Sequence, residues 1–101
     1  MIIVLAQVES SIESIETLRG ALVEMEKASR AEEGCHDYTF CQEIGDPTRL
    51  SIVELWESMD ALRAHFATPH MAKFRESMAA APPKSMTVKV HELGEQLELP
   101  S

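Results

Sequence analysis

The spacing of apolar and polar residues along the chain predicts seven elements of secondary structure. Four segments have the short apolar runs or the alternation typical of strands: 2–8, 35–42, 49–56 and 85–93. Three segments have apolar residues three and four positions apart, as amphipathic helices do: 12–32, 59–66 and 69–80. This order of elements predicts an α+β class, ferredoxin-like βαββαβ fold with a four-stranded antiparallel sheet.

The first strand is apolar at nearly every position, which indicates that both of its faces are covered. We expect its odd-numbered residues, including Gln7, to face the helices. The even-numbered residues then face away from them: Ile2, Val4, Ala6 and Val8. Because exposing such a face costs about 25 cal/mol per Å² of apolar surface, a second copy is the natural cover. The pattern therefore predicts a homodimer formed through the sheet face.

The composition fits one domain over residues 1–94 followed by a polar tail over 95–101. Nine basic and seventeen acidic residues give a net charge of −8, which argues against nucleic acid and anionic membranes as partners. The apolar N-terminus lacks a basic segment and becomes polar at Gln7, too early for a signal peptide or a membrane span. We therefore expect a cytoplasmic protein.

The two cysteines, Cys35 and Cys41, fall in the same predicted strand and on the same face. At roughly 3.3 Å per residue they would lie about 20 Å apart. A disulfide requires Cα atoms within about 7 Å of each other, so these residues cannot pair. Each is expected to be a small buried hydrophobic residue, with a reactive thiol as the alternative.

A strand-to-helix corner at residues 54–58 carries the only tryptophan, Trp56. Ser58 is placed to cap the helix that follows, and Thr68-Pro69 has the cap and first-turn proline that begin another helix. His65 and His70 lie on either side of this second start. We expect Trp56, His65 and His70 to line one cavity, as candidate catalytic residues.

Each candidate residue has a functional and a structural interpretation. Trp56 is either a wall for a flat aromatic ligand or a core residue. His65 and His70 are either general bases, with His70 preferred, or surface histidines. Glu54 is expected to play a structural role and needs a partner, Arg63 or Arg75, or a raised pKa. Residues expected to contact a substrate are Gln7, Tyr38, Ile52, Phe74 and Met78.

Several common catalytic motifs are missing from the sequence. His65 and His70 are five residues apart rather than four, and no neighbouring Cys-x-x-Cys or carboxylate cluster completes a metal site, so no metal is expected. There is no Gly-x-Ser-x-Gly elbow, phosphate loop or dinucleotide fingerprint. The sequence therefore predicts no tightly bound cofactor.

Taken together, the motifs resemble the antibiotic biosynthesis monooxygenase family, over about residues 2–93. The matching positions are residues 30–38 (RAEEGCHDY), Asp46-Pro47, Glu54-x-Trp56-Glu57-Ser58, Leu62, His65 and Thr68-Pro69-His70. The resemblance implies a dimeric α+β barrel in which two sheets pack face to face. It also implies a cofactor-independent monooxygenase that oxidises an electron-rich phenol or quinol with O2.

Three alternatives to this function stay open. One branch of the fold binds and degrades haem, using an asparagine on the first strand where this chain carries Gln7. An isomerase acting on a small metabolite is the second alternative. The third is a dimeric ligand-binding protein without catalytic activity, which would be indicated by a pocket filled with side chains.

Overall fold

A computed structural model describes residues 1–101 and contains one sheet and three helices. The strands are β1 Ile2–Glu9, β2 Cys35–Gln42, β3 Arg49–Trp56 and β4 Ser85–Glu92. The helices are α1 Ile12–Arg30, α2 Met59–Phe66 and α3 Pro69–Ala80. The four strands pair antiparallel in the order β2-β3-β1-β4. This arrangement confirms the predicted ferredoxin-like α+β fold. None of the three helices combines the length and apolar character that a membrane-spanning helix needs.

The face that β1 turns toward the helices is the opposite of the one predicted. Ile2, Val4, Ala6 and Val8 are buried in the two core clusters beneath the helices. Gln7 is exposed and lies on the other face of the sheet. The prediction was wrong because the run from Ile2 to Ala6 shows no alternation, whereas the polar residues Gln7 and Glu9 already marked the odd-numbered face as the less buried one.

The outer face of the sheet carries a compact apolar patch. Ile3 pairs with Leu55 and Leu5 pairs with Val53 across β1 and β3. Leu5 is 41% exposed, and the other three are less exposed but not buried. These four residues, rather than the even-numbered ones of β1, are the apolar side chains that the single chain leaves uncovered on that face.

An irregularity at the start of β2 separates the two cysteines onto opposite faces. Cys35 pairs with Trp56 but Asp37 pairs with Leu55, so His36 is an extra residue in the strand. Cys35 consequently packs against the helix-side core, while Cys41 is exposed. The prediction that they share a face was wrong, because a bulge inverts the period of two. Both are free thiols, in agreement with the prediction that they do not pair.

Side-chain caps begin all three helices. Ser11 Oγ accepts from the Ser14 N–H at 3.1 Å at the start of α1. Ser58 and Thr68 cap α2 and α3 in the same way, as the sequence predicted, with Pro69 in the first turn of α3. Helix α1 ends at Arg30, two residues earlier than predicted. Gly34 lies beyond this end and makes a left-handed turn (φ 83°) into β2.

Helix α3 and strand β4 are the least tightly packed elements. No residue of α3 is fully buried, although Phe74 and Met78 pack against the core. Met86, Val88 and Val90 of β4 pair with the helix-facing residues of β1, yet each stays about half exposed. The helices thus do not cover the β4 edge, and open space remains between α3 and the sheet.

Candidate active-site cleft

The cleft lies between helices α2 and α3 and the helix-facing side of the sheet. Tyr38, Ile52 and Glu54 contribute from the sheet and His65 and Phe74 from the helices, around a volume of about 180 Å³. Apart from Tyr38, Glu54 and His65, every residue that lines it is apolar. A largely apolar cleft with a few polar groups is the usual form of a small-molecule site.

His65 is the one histidine that lines the cleft. It is 1% exposed, and its Nδ1 lies 2.6 Å from Oε2 of Glu32, which follows α1. A carboxylate only accepts hydrogen bonds, so Nδ1 carries the hydrogen and donates it. In a neutral imidazole the other nitrogen, Nε2, is then free to accept a proton. Glu32 thereby fixes both the orientation and the tautomer of His65.

His70 contacts the same carboxylate from outside the cleft. Its Nε2 lies 2.8 Å from Oε2 of Glu32, and its ring centroid is 6.0 Å from that of His65. The ring lines a surface depression of about 20 Å³ beside Lys73 rather than the cleft itself. The structure therefore brings both histidines together, but it is His65, the second choice from the sequence, that lines the cleft.

Trp56 belongs to the core and not to the cleft wall. Its side chain is 0% exposed, and its ring centroid lies 4.8 Å from that of His65. Its Nε1–H donates to Oε1 of Glu54 at 2.9 Å. The prediction that a ligand stacks on Trp56 is wrong for this structure, because no surface of the indole is accessible. The ring instead supports two side chains that do line the cleft.

Glu54 is buried on the cleft floor without a cationic partner. The side chain is 8% exposed, and burial raises its pKa, an effect that the Trp56 hydrogen bond opposes. The arginines suggested as partners lie elsewhere: Arg63 binds Asp60 at 2.7 Å, and Arg75 donates to the Phe66 carbonyl. Glu54 therefore has a raised pKa and the Trp56 N–H as its hydrogen-bond partner, in place of an arginine.

The other predicted substrate contacts divide into three groups. Tyr38, Ile52 and Phe74 line the cleft, and burial, followed by the charge of Glu54, raises the pKa of Tyr38 so that it stays a phenol. Met78 lines only a neighbouring cavity. Gln7 lies on the opposite face of the sheet, so its predicted place in the pocket is wrong.

A larger apolar cavity adjoins the cleft and shares Ile52, Met71, Phe74 and Met86 with it. Its volume is about 450 Å³, and Leu22, Phe40 and Met78 complete much of its lining. Most of its walls are hydrophobic, with Arg75 as the charged residue. The space between α3 and the sheet is therefore not packed solid, and it is large enough for a small organic molecule.

Glu32 is the site residue that the sequence analysis missed. It was expected to be the last residue of the helix over 12–32, a position typical of an exposed side chain. It meets the histidines only because the chain returns 33 residues later in α2 and 38 residues later in α3. The one available signal was its place within the segment 30–38 on which the family resemblance depends.

The fold and the cleft define a small α+β protein with a buried histidine, hydrogen-bonded to a carboxylate, at the wall of a largely apolar cleft. The sequence profile of the antibiotic biosynthesis monooxygenase family matches residues 1–77. Because this match covers more than half of the chain, the protein belongs to that family.

Solved structures from several bacteria have the same fold. A candidate antibiotic biosynthesis monooxygenase from Deinococcus radiodurans is 25% identical with a TM-score of 0.90, covering 100% of both chains. Rv0793 from Mycobacterium tuberculosis is 24% identical with a TM-score of 0.83, covering 96% of this chain and 98% of that one.

A sequence relative is an uncharacterized protein of Synechocystis, sll1783. It is 30% identical over 67 residues, which are 66% of this chain but only 46% of that protein.

Proposed function

We propose that this protein is a monooxygenase that uses no bound cofactor and oxidises an electron-rich phenol or quinol with O2. The observation that carries the proposal is the Glu32–His65 pair at the wall of an apolar cleft. Family membership supports monooxygenase chemistry in general, and the cleft supports the finer assignment. The reactive ring would occupy the cleft, and the remainder of the substrate would extend into the adjoining cavity.

The reaction needs a base and a dry site, because the substrate supplies the electrons. His65 Nε2 takes a proton from the substrate hydroxyl, and Glu32 stabilises the imidazolium that forms. The anion passes one electron to O2, and the resulting radical and superoxide combine to form a carbon–oxygen bond. Breaking the oxygen–oxygen bond leaves one oxygen atom on the substrate and releases the other as water. The substrate loses two protons, one from the hydroxyl through His65 and one from the C–H bond of the oxygenated carbon, which breaks together with the oxygen–oxygen bond. The two electrons of that C–H bond stay on the carbon and form the new C=O bond, and the two protons convert the departing oxygen into water.

Two residues would assist this sequence in the cleft. Tyr38 keeps its phenol hydrogen because burial raises its pKa, and this neutral phenol would have to turn from Ser29 to donate to a substrate oxygen. Glu54 sits near the same space, and its raised pKa disfavours a buried negative charge beside an anionic substrate. The apolar lining excludes water and so protects the radical pair from side reactions.

Oxygen consumption tests this proposal. Purified protein is supplied with reduced naphthoquinones and anthrones in an oxygen electrode, with and without added haem or flavin. We expect turnover without either addition, a loss of about 10²–10⁴-fold in His65→Asn, and a smaller loss in Glu32→Gln. The exposed histidine variant His36→Asn is the matched control and should retain the wild-type rate.

Two outcomes would contradict the assignment. A larger loss in His70→Asn than in His65→Asn would return the role of base to the residue preferred from the sequence. Equal rates in wild type and His65→Asn, with circular dichroism showing that both are folded, would remove the histidine from the chemistry. The haem-degrading branch uses an asparagine of the first strand at its site. The matching residue here, Gln7, lies on the opposite face of the sheet, which disfavours that alternative.

We also propose that two copies pair through the outer face of the sheet. The apolar patch formed by Ile3, Leu5, Val53 and Leu55 lies between more polar side chains of β2 and β4, including Asp37 and Lys89. An apolar centre with a polar rim is the usual composition of a protein interface. Light scattering should give the mass of a dimer for wild type and of a monomer for Leu5→Lys, and a monomeric wild type would refute the pairing.

A further inference from the structure

Three metal-binding side chains from different parts of the chain converge beside the cleft. Glu32 follows α1, His65 lies in the last turn of α2, and His70 lies in the first turn of α3. One carboxylate oxygen and one nitrogen of each imidazole all lie within 4.8 Å of one another. Of the side chains, His65 is 2% exposed, Glu32 is 13% exposed and His70 is 25% exposed, so the group is sheltered yet reachable from solvent.

The backbone holds these groups in place through the junction between the two helices. The Thr68 Oγ1–H donates to the His65 carbonyl at 2.7 Å, and the same hydroxyl accepts from the Met71 N–H at 3.3 Å. Thr68 thus links the end of α2 to the first turn of α3. This link sets the relative positions of His65 and His70, although they are five residues apart and not on one helix.

The donor set suits a first-row divalent metal ion. Imidazole nitrogen and carboxylate oxygen bind such ions at about 2.0–2.2 Å, which places two tetrahedral ligand atoms about 3.4 Å apart. Here the Glu32 Oε2 atom lies 2.6 Å from His65 Nδ1 and 2.8 Å from His70 Nε2. To bind one ion, Glu32 would have to move outward by less than about 1 Å. The two imidazole nitrogens, which lie within 4.8 Å of each other, would also have to approach to about 3.4 Å.

We propose that Glu32, His65 and His70 form a binding site for a divalent transition metal such as Zn²⁺, with water in the remaining coordination position. No metal was expected from the sequence, because His65 and His70 are five residues apart and no neighbouring Cys-x-x-Cys or carboxylate cluster completes a site. The fold supplies the carboxylate of Glu32, which precedes β2 and β3 in the sequence, whereas both histidines follow these strands.

Metal binding has a consequence for the proposed oxidation, and this part rests on the proposed function. An ion bound at Nδ1 of a neutral imidazole leaves the hydrogen on Nε2. His65 then carries its hydrogen on Nε2 and cannot accept a proton at that atom. Occupancy by a metal and action of His65 as a base therefore exclude each other, and Zn²⁺ inhibits the oxidation.

Cobalt binding tests the site without any substrate. Full-length protein, stripped with a chelator, is titrated with Co²⁺ while its visible absorption is recorded. We expect bands of nitrogen- and oxygen-coordinated Co²⁺ that saturate at one ion per chain and disappear when Zn²⁺ is added. In Glu32→Gln and in His70→Asn, the affinity should fall by more than the ~10–100-fold that losing an outer-shell partner costs. His36→Asn, which removes a surface histidine paired with Glu57, should bind as wild type does.

The outcomes separate the metal site from the proposed reaction. If Co²⁺ gives no bands, or if Glu32→Gln and His70→Asn bind it as wild type does, the three residues form a hydrogen-bonded group only and the site is refuted. If Co²⁺ binds as expected but no quinol is oxidised, the site stands and the proposed function fails. If quinol is oxidised and saturating Zn²⁺ leaves the rate unchanged, the inferred inhibition is refuted.

Discussion

Replacing Gly34 with alanine should destabilise the protein by about 2–5 kcal/mol. Gly34 has φ 83°, a left-handed conformation that costs a residue with a Cβ about 1–2 kcal/mol. A Cβ at this position would also lie only 2.8 Å from the Cβ of Ala61 in α2, and such overpacking costs about 1–3 kcal/mol. Both penalties act at the turn between Glu32 and β2.

Urea unfolding followed by circular dichroism measures this loss, and Gly20 provides the matched control. Gly20 is an exposed residue inside α1, and a Cβ there meets no atom within 4 Å. The same substitution should therefore stabilise the protein by about 0.5–1 kcal/mol, because alanine is the better helix former. One chemical change should thus have opposite signs at two positions.

A double-mutant cycle separates the two penalties at Gly34. Ala61→Gly alone should cost about 1 kcal/mol through lower helix propensity, but in combination with Gly34→Ala it removes the steric overlap. We expect a coupling energy of about 1–3 kcal/mol in the direction of rescue. The reasoning is refuted if Gly34→Ala stays within about 0.5 kcal/mol of wild type. Zero coupling would show that the backbone conformation alone accounts for the loss.

Two further predictions concern buried ionisable groups. Because burial, followed by the charges of Glu32 and Glu54, raises the pKa of Cys35 to about 11, iodoacetamide at pH 8 should modify the exposed Cys41 first. The rate at Cys35 should rise about tenfold per pH unit below its pKa, and equal rates in peptide mass spectra would contradict this. Because burial raises the pKa of Glu54 above 4.5, the folded state holds its proton more tightly, and stability should fall as the pH rises from 4.5 through the raised value. The fall in wild type should be about 1.4 kcal/mol per unit of pKa shift, and Glu54→Gln should lack it. The prediction is disproved if the free energies of unfolding of the two proteins, measured with urea from pH 4 to 8, run parallel.

Local patterns in the sequence were sufficient for most of the fold. The bounds of β2, β3, α2 and α3 agree with the predicted ones because turn residues and caps mark their ends. Ser58 and the Thr68-Pro69 pair are the clearest examples, since each supplies a hydrogen bond or a fixed φ that only a helix start requires. The same local signals placed His65 and His70 near each other.

The errors arose where the structure depends on contacts that local patterns do not encode. The continuous apolar run of β1 did not show which of its two faces points to the helices, so Gln7 was assigned to the wrong face. The bulge at His36 inverted the face of Cys35 relative to Cys41. The role of Glu32 depends on packing between α1 and two helices much later in the chain. Complete burial of Trp56 likewise depends on how tightly several elements close around the corner.

Strand β4 has a consequence for how relatives of this protein can diverge. The segment matched by the family profile stops at residue 77 and so contains the histidines and Glu32, but not β4. The half-exposed side chains Met86, Val88 and Val90 line the cleft and lie outside the segment that the family profile matches. Substitutions on this one edge strand can therefore change the shape of the cleft while Glu32, His65 and His70 stay in place. Exchanging residues 85–92 between relatives should accordingly alter the cleft without altering the three side chains beside it.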